Sequence, residues 1–173
     1  KRQYNHSTPQ AVEEVKNGSI DFAVVTTPAD VEAPLKKVML QSYNEILVGG
    51  TTFSSLRKQK LSITEIRNYP LICLGRETMT FRFYDRIFRE HGVELAPDTE
   101  AATTDQILPL VKCELGLAFI PEPMARDAVK KKEVIKIPLE ERIPDRNVCL
   151  VYDCLHPLNE AAKQFKKIIT ESR

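Results

Sequence analysis

Small hydroxyl residues recur in this sequence where apolar runs give way to helix-forming ones. Ser7-Thr8 precede QAVEEV, Thr26-Thr27 close the run IDFAVV, Thr78 and Thr80 follow PLICL, and Thr103-Thr104 precede DQILPLV. A hydroxyl at such a junction caps the helix that follows. Four such junctions at strand ends also describe a cleft lined by hydroxyls and backbone N–H groups, with Arg76 and Gly75 in the third. Such a lining suits a small polar ligand, and helix N-termini favour an anionic one. No residue is assigned to catalysis. The sequence has no GxSxG, P-loop, GxGxxG or HExxH motif. His6, which precedes the first helix cap beside Ser7, and His91, which precedes Gly92 at a helix end, are not read as catalytic. Gly49-Gly50 lacks the Lys and spacing of a phosphate loop and reads as a turn. The three His and four Cys do not fall at metal-ligand spacing, so neither a metal nor a cofactor is expected.

The elements that must position these hydroxyls alternate between strand and helix. Thr8-Pro9 opens a helix that stops at Asn17-Gly18, with Thr8 as its cap. Ile20–Thr26 reads as a strand buried on both faces. Leu35–Gln41 and Asn44–Val48 are further strands. Phe53–Lys58 is a short helical stretch with Thr52 as cap, and Ser62-Ile63-Thr64-Glu65 is a capping box. Pro70–Leu74 is a strand leading to a helix with Phe81, Tyr84, Ile87 and Phe88 on one stripe, ended by Gly92. Asp98–Ala102 is a weak strand. Thr103 to Gln106 caps a helix with Ile107, Leu108, Leu110 and Val111 inward and Pro109 near the end of its first turn. Gly116–Pro121 is a strand, Glu122–Val129 a helix, and Val134–Ile137 and Asn147–Tyr152 are strands. A helix over Pro157–Ile169 closes the chain, its apolar side formed by Leu158, Ala161, Ala162, Phe165, Ile168 and Ile169. This alternation predicts an α/β fold with a mostly parallel sheet covered by helices on both faces, and ligands at the carboxyl ends of its strands.

Composition narrows the partners. With 173 residues and 42% hydrophobic residues, the chain can bury a sizeable core. Its 25 Lys+Arg against 24 Asp+Glu give a net charge of +1, without the basic surplus that phosphate backbones require. Lys130-Lys131-Lys132 reads as a solvated helix end. No apolar run reaches the roughly 18 residues of a membrane span. Cys73 and Cys149 sit inside apolar runs and read as small hydrophobes. With Cys113 and Cys154 they are expected to be reduced residues of a cytoplasmic protein, a Cys149–Cys154 pairing being the alternative weighed.

The order of these motifs resembles the effector-binding domain of LysR-type transcriptional regulators. The resemblance is carried by AVEEVKNGSIDFAVVTTP, by PLICLGRETMTFRFYDRIFREHGVELAPDTEA and by DQILPLVKCELGLAFIPEPMA. It implies a two-lobed, periplasmic-binding-protein-like fold with a ligand cleft between the lobes. Residues 1–41 and 146–173 would form lobe one and residues 42–145 lobe two, with hinges near Gln41–Glu45 and Leu139–Asn147. Carried onto this sequence, the effector contacts would be Ser7, Thr8, Thr26, Gly75, Arg76, Thr78, Thr80, Thr103, Thr104 and Pro121. The resemblance further implies a homodimer, possible tetramers at full length, and DNA contact only through a helix-turn-helix domain outside this chain. Two departures are visible. Glu114 stands where the family has a Gly, so the turn there is expected to differ. The family's first strand and helix of lobe one are missing, so Ile20–Val25 is expected at a sheet edge.

Three rival readings share these residues. A solute-binding protein of a transport system would have the same fold and cleft. An enzyme on this fold would need an acid-base pair facing the cleft. A peroxide sensor would need a reactive Cys in the loop where Thr78 and Met79 stand.

Overall fold

The computed structural model describes residues 6–156, 158 and 160–171. The chain forms two compact units, Tyr43–Asp145 and Lys1–Ser42 with Arg146–Arg173. The first is built on a five-stranded sheet of β3 (Glu45–Gly49), β4 (Leu71–Leu74), β5 (Thr99–Ala101), β6 (Leu117–Pro121) and β7 (Ile135–Ile137), in the order β5-β4-β6-β3-β7. β4 runs parallel to β5 and β6, whereas β3 is antiparallel to β6 and β7. Four strands therefore share one direction and β3 opposes them. The strands read as unbroken apolar runs because both faces are covered. Leu47, Leu71, Cys73, Leu117 and Phe119 lie in one core cluster, and their alternating neighbours Ile46, Val48, Ile72, Leu74, Ala118 and Ile120 in the other.

Helices complete each face. α2 (Ile63–Ile66) and α3 (Met79–Glu90) pack on the first, and α4 (Thr104–Lys112) and α5 (Glu122–Lys130) on the second. The stripe read for α3 is buried at Phe81, Tyr84, Ile87 and Phe88, joined by Phe83. Phe119 on β6 stacks on Tyr84 at 4.8 Å and meets Phe88 edge-on at 6.3 Å, anchoring the helix to the sheet. On α4, Ile107 and Val111 are buried, while Leu108 and Leu110 are only partly so. Pro109 does not lie in the first turn: it is the sixth residue of the helix, and its ring removes the N–H that the Asp105 carbonyl would have accepted. The helix carries this loss because Pro109 faces solvent, where water can satisfy that carbonyl.

The second unit holds a three-stranded sheet of β1 (Phe22–Thr26), β2 (Leu35–Tyr43) and β8 (Arg146–Asp153), in the order β1-β8-β2. β1 pairs antiparallel with β8, from Phe22↔Tyr152 to Thr26↔Val148. α1 (Thr8–Lys16) places Ala11 and Val15 against Ala23, Val25, Cys149 and Val151. On the other face, Phe165 of α6 (Glu160–Glu171) stacks on Phe22 at 4.8 Å, with Ala162 buried beside it.

Several expectations need correction here. The five-stranded sheet is mixed rather than mostly parallel, because β3 is inserted antiparallel between β6 and β7, and in the other sheet β1 runs antiparallel to β8. β1 is a sheet edge, as the resemblance implied, but it is not buried on both faces: Val24 is 48% exposed. Ser7 rather than Thr8 is the α1 cap, with Gln10 at the third helical position returning its side chain to the Ser7 N–H at 3.1 Å. Ile168 on α6 is 62% exposed rather than inward-facing. Pro157 and the Ala161 side chain lie outside the described residues.

Where β8 hands over to α6, the buried Asp153 carboxylate accepts from the Leu155 N–H at 2.8 Å and contacts His156 Nδ1 at 2.6 Å. These donors, the backbone N–H first, hold its carboxyl below the usual value of 3.8. A depressed carboxyl stabilises the fold above its unfolded value and loses that contribution as pH falls through the folded one. Asp153→Asn is therefore expected to lower the urea midpoint at pH 7, and the gap to wild type should close as pH drops below 3.8. A pH-independent gap would contradict the assignment.

Candidate functional site

Within the Tyr43–Asp145 unit, parallel strands gather the candidate residues. The carboxyl ends of β4, β5 and β6 lie on one sheet edge, so Gly75, Thr103 and Pro121 meet there, together with the starts of α3, α4 and α5. Thr78 caps α3: its Oγ1 accepts from the Phe81 N–H at 3.0 Å and donates to the Gly75 carbonyl at 2.9 Å. The loop is thereby closed on itself, with Gly75 buried and Thr80 half-buried in the first turn. A Cβ at Gly75 would come within 2.6 Å of the Glu77 carboxylate. Arg76 lies with its guanidinium 5.7 Å from the Phe81 ring centroid and its Nε 3.9 Å from Glu100. Its side chain is 62% exposed, so this pair adds little stability and leaves the charge available at the edge.

Thr103 caps α4, and Gln106 Oε1 accepts from the Ala102 and Thr103 N–H groups at 3.0 and 3.4 Å, leaving Thr104 as the first helical residue. The start of α5 is already occupied by its own carboxylate. Glu122 binds Lys136 at 2.8 Å, which holds its carboxyl below the usual range. α4 carries Asp105 in its first turn, while α3 has no acidic residue there. The α3 end, beside Arg76, is thus the most receptive to an anion at this edge.

The Lys1–Ser42 and Arg146–Arg173 unit gathers the remaining candidates by a different route. α1 and β1 are joined by the tight turn after Asn17, so the helix starts at the end where β1 finishes. Ser7 and Thr8 therefore lie toward the same end of the unit as Thr26. Sequence reasoning missed a residue there. Arg146, the first residue of β8, is 3% exposed, and its Nη2 donates to Thr26 Oγ1 at 3.2 Å. Its only sequence signal is a cation opening an apolar strand. Glu45 was missed likewise; it is 6% exposed and pairs in register with Pro121.

At Glu114 a non-glycine residue takes the left-handed conformation, and its compensation is visible. Glu114 adopts φ 63°, a left-handed conformation suited to Gly, while its carboxylate accepts from the N–H and hydroxyl groups of Thr51 and Thr52 at 2.6–3.2 Å. It thus caps the 3-10 helix Thr51–Lys58, the role expected of Thr52. The Thr52 hydroxyl leads in holding the Glu114 carboxyl below its usual range. Gly50 leaves room for it, since a Cβ there would stand 1.9 Å from the carboxylate.

The thiols divide cleanly. All four cysteines are free; Cys73 and Cys149 are buried, Cys113 and Cys154 exposed. Cys149 faces α1 while the Cys154 thiol donates to the Pro34 carbonyl at 3.0 Å, so these two do not pair. Burial pushes the Cys73 thiol up to about 12, and also raises Cys149. A colorimetric thiol titration is expected to count two reactive groups in the native chain and four after unfolding. Rapid native labelling of Cys73 would contradict this. Among the described residues, no group of three or more His, Cys, Asp or Glu is placed to hold a metal ion, and no helix is long and apolar enough to cross a membrane.

The family model described as the LysR substrate binding domain matches residues 4–173. A hydrogen peroxide-inducible genes activator of Haemophilus influenzae is 21% identical over 174 residues; the match covers 97% of this chain and 56% of that relative. The chain thus spans about half of its length. Among solved structures, the CcmR regulatory domain of Synechocystis PCC6803 in complex with 2-PG superposes with a TM-score of 0.82 at 14% identity, covering 96% of this chain and 79% of that one. The effector-binding domain of QuiR in complex with shikimate gives 0.80 at 16% identity, covering 96% and 78%. At such identities the structural likeness concerns the fold, which is the two-lobed, periplasmic-binding-protein-like one.

Proposed function

The chain belongs to the LysR substrate-binding domain family, and we propose that it is the small-molecule sensor of a transcriptional regulator, taking a small polar or anionic effector between its two units. On this reading the lobes are residues 1–41 with 146–173 and residues 42–145, hinged near 41–45 and 139–147. The effector contacts are Ser7, Thr8 and Thr26 from one lobe and Gly75, Arg76, Thr78, Thr80, Thr103, Thr104 and Pro121 from the other. The observation that carries it is the convergence of hydroxyls and helix N-termini at one end of each unit, with Arg76 exposed beside the α3 start. The protein acts without catalysis, as a cytoplasmic homodimer that contacts DNA through a separate helix-turn-helix domain. Signalling requires that the effector bind one arrangement of the lobes better than another. QuiR and CcmR, which share the fold, each hold a small ligand.

Thermal denaturation against a panel of small carboxylates, amino acids and inorganic oxyanions tests this. An effector at a hundredfold excess over its Kd contributes about 2.7 kcal/mol, which raises the midpoint of a chain this size by roughly 5 °C or more. A panel without any concentration-dependent rise would overturn the proposal.

A further inference from the structure

The end of β1 carries an arrangement that specifies which chemical group it can receive. Arg146 is 3% exposed and opens β8. Its Nε donates to the Thr27 carbonyl at 2.6 Å and its Nη2 to Thr26 Oγ1 at 3.2 Å. The Asn147 N–H donates to Thr27 Oγ1 at 2.9 Å, and the Thr27 N–H returns to the Asn147 carbonyl at 2.9 Å. Both threonine hydroxyls are thus engaged as acceptors from protein N–H groups. A hydroxyl has one proton, and neither proton has an acceptor among the described residues. What each can offer a ligand most readily is therefore its O–H. A guanidinium has donors only, so toward Arg146 the Thr26 oxygen can only accept, and its proton is what remains for a ligand acceptor.

We infer that Arg146 is a positioning residue that commits the Thr26 hydroxyl to donating, as the Asn147 N–H does that of Thr27, and so selects an effector whose group at this end is an oxyanion or carboxylate rather than an ammonium or amide N–H. The inference rests on the reading of Thr26 as an effector contact and names the chemistry that contact accepts. Arg146 acts through the Thr26 hydroxyl. Its charge, its two donor directions and its burial are what a lysine would reproduce only in part.

Acetate and acetamide form a matched probe pair that differs in charge and in N–H donors. Each is titrated into the isotope-labelled chain at constant ionic strength, and the Thr26, Thr27 and Asn147 amide signals are followed. Wild type is expected to bind acetate at least fivefold more tightly than acetamide at these signals. Arg146→Met should bring that ratio near one, with Arg146→Lys between. A ratio near one in wild type overturns the inference. So does an Arg146→Met variant that weakens both probes while keeping the ratio, because that is the result of a merely structural arginine. If Arg146→Met does not fold, Arg146→Lys decides: an unchanged ratio overturns the inference. A panel compound that shifts Gly75–Thr80 and Thr103–Thr104 but leaves Thr26 untouched overturns this inference while the proposed function stands. A panel with no binder removes the proposed function itself.

Discussion

Phe119→Ala is expected to destabilise the chain by about 3–5 kcal/mol, the range for truncating a buried aromatic. Phe119 is 8% exposed, stacked on Tyr84 at 4.8 Å and edge-on to Phe88 at 6.3 Å. Its removal costs the transfer of the ring from water, the cavity left behind and two ring pairings. Nothing nearby can collapse into the space cheaply, because Tyr84 and Phe88 are held on the same rigid helix as Phe81 and Ile87. The consequence reaches the candidate site. α3 begins at the Thr78 cap, and the sheet contact through Phe119 fixes where that cap sits over Gly75. Urea unfolding should show a lower midpoint for Phe119→Ala and recovery of most of the loss in Phe119→Leu. A loss below about 1 kcal/mol, well under the usual cost of such a truncation, would mean that α3 is anchored elsewhere.

Gly116→Ala is the second large effect, and it acts through the backbone. Gly116 has φ +155°, and a Cβ added there would stand 2.5 Å from the Pro70 carbonyl oxygen. That oxygen cannot retreat freely, because it accepts the Leu117 N–H at 2.8 Å where β4 and β6 begin to pair. Conformational strain and overpacking each contribute on the order of 1–3 kcal/mol, so a loss of roughly 2–4 kcal/mol is expected. Gly18→Ala is the control. Gly18 has φ +76° but nothing within 4 Å of an added Cβ, so only the left-handed penalty applies, about 1–2 kcal/mol. Equal losses at the two positions in chemical unfolding would contradict the role given to the Pro70 contact.

What the sequence made legible follows from how local each signal is. Runs such as EILVG, LICL and LAFIP announce strands, and Ser62–Glu65 and Thr103–Gln106 announce helix starts, because their chemistry is complete within four or five residues. The direction of β3 was not legible, since it shows only in its antiparallel pairing with β6 and β7, far along the chain, and not in residues within β3. The α1 cap was misplaced by one residue because Ser7 and Thr8 are both good caps, and only Gln10 at the third helical position decides between them. Glu114 shows the limit from the other side. A departure from the expected Gly was readable, but the Thr51 and Thr52 groups that hold it lie more than sixty residues away. The candidate site has the same character. Its hydroxyls stand out at strand-helix junctions, whereas Arg146, 120 residues from the Thr26 it touches, does not.

The central claim is that hydroxyls from both units hold one effector, and calorimetry on two single variants tests it most directly. The compound identified by the thermal panel is titrated into wild type, Thr8→Val and Thr104→Val. Each valine keeps the shape of threonine while deleting one hydrogen bond to the ligand, so each should weaken binding about tenfold or more if the partner is charged. Loss of affinity in both variants, at unchanged stoichiometry and thermal stability, is the predicted result. Binding as tight in both variants as in wild type would contradict the account.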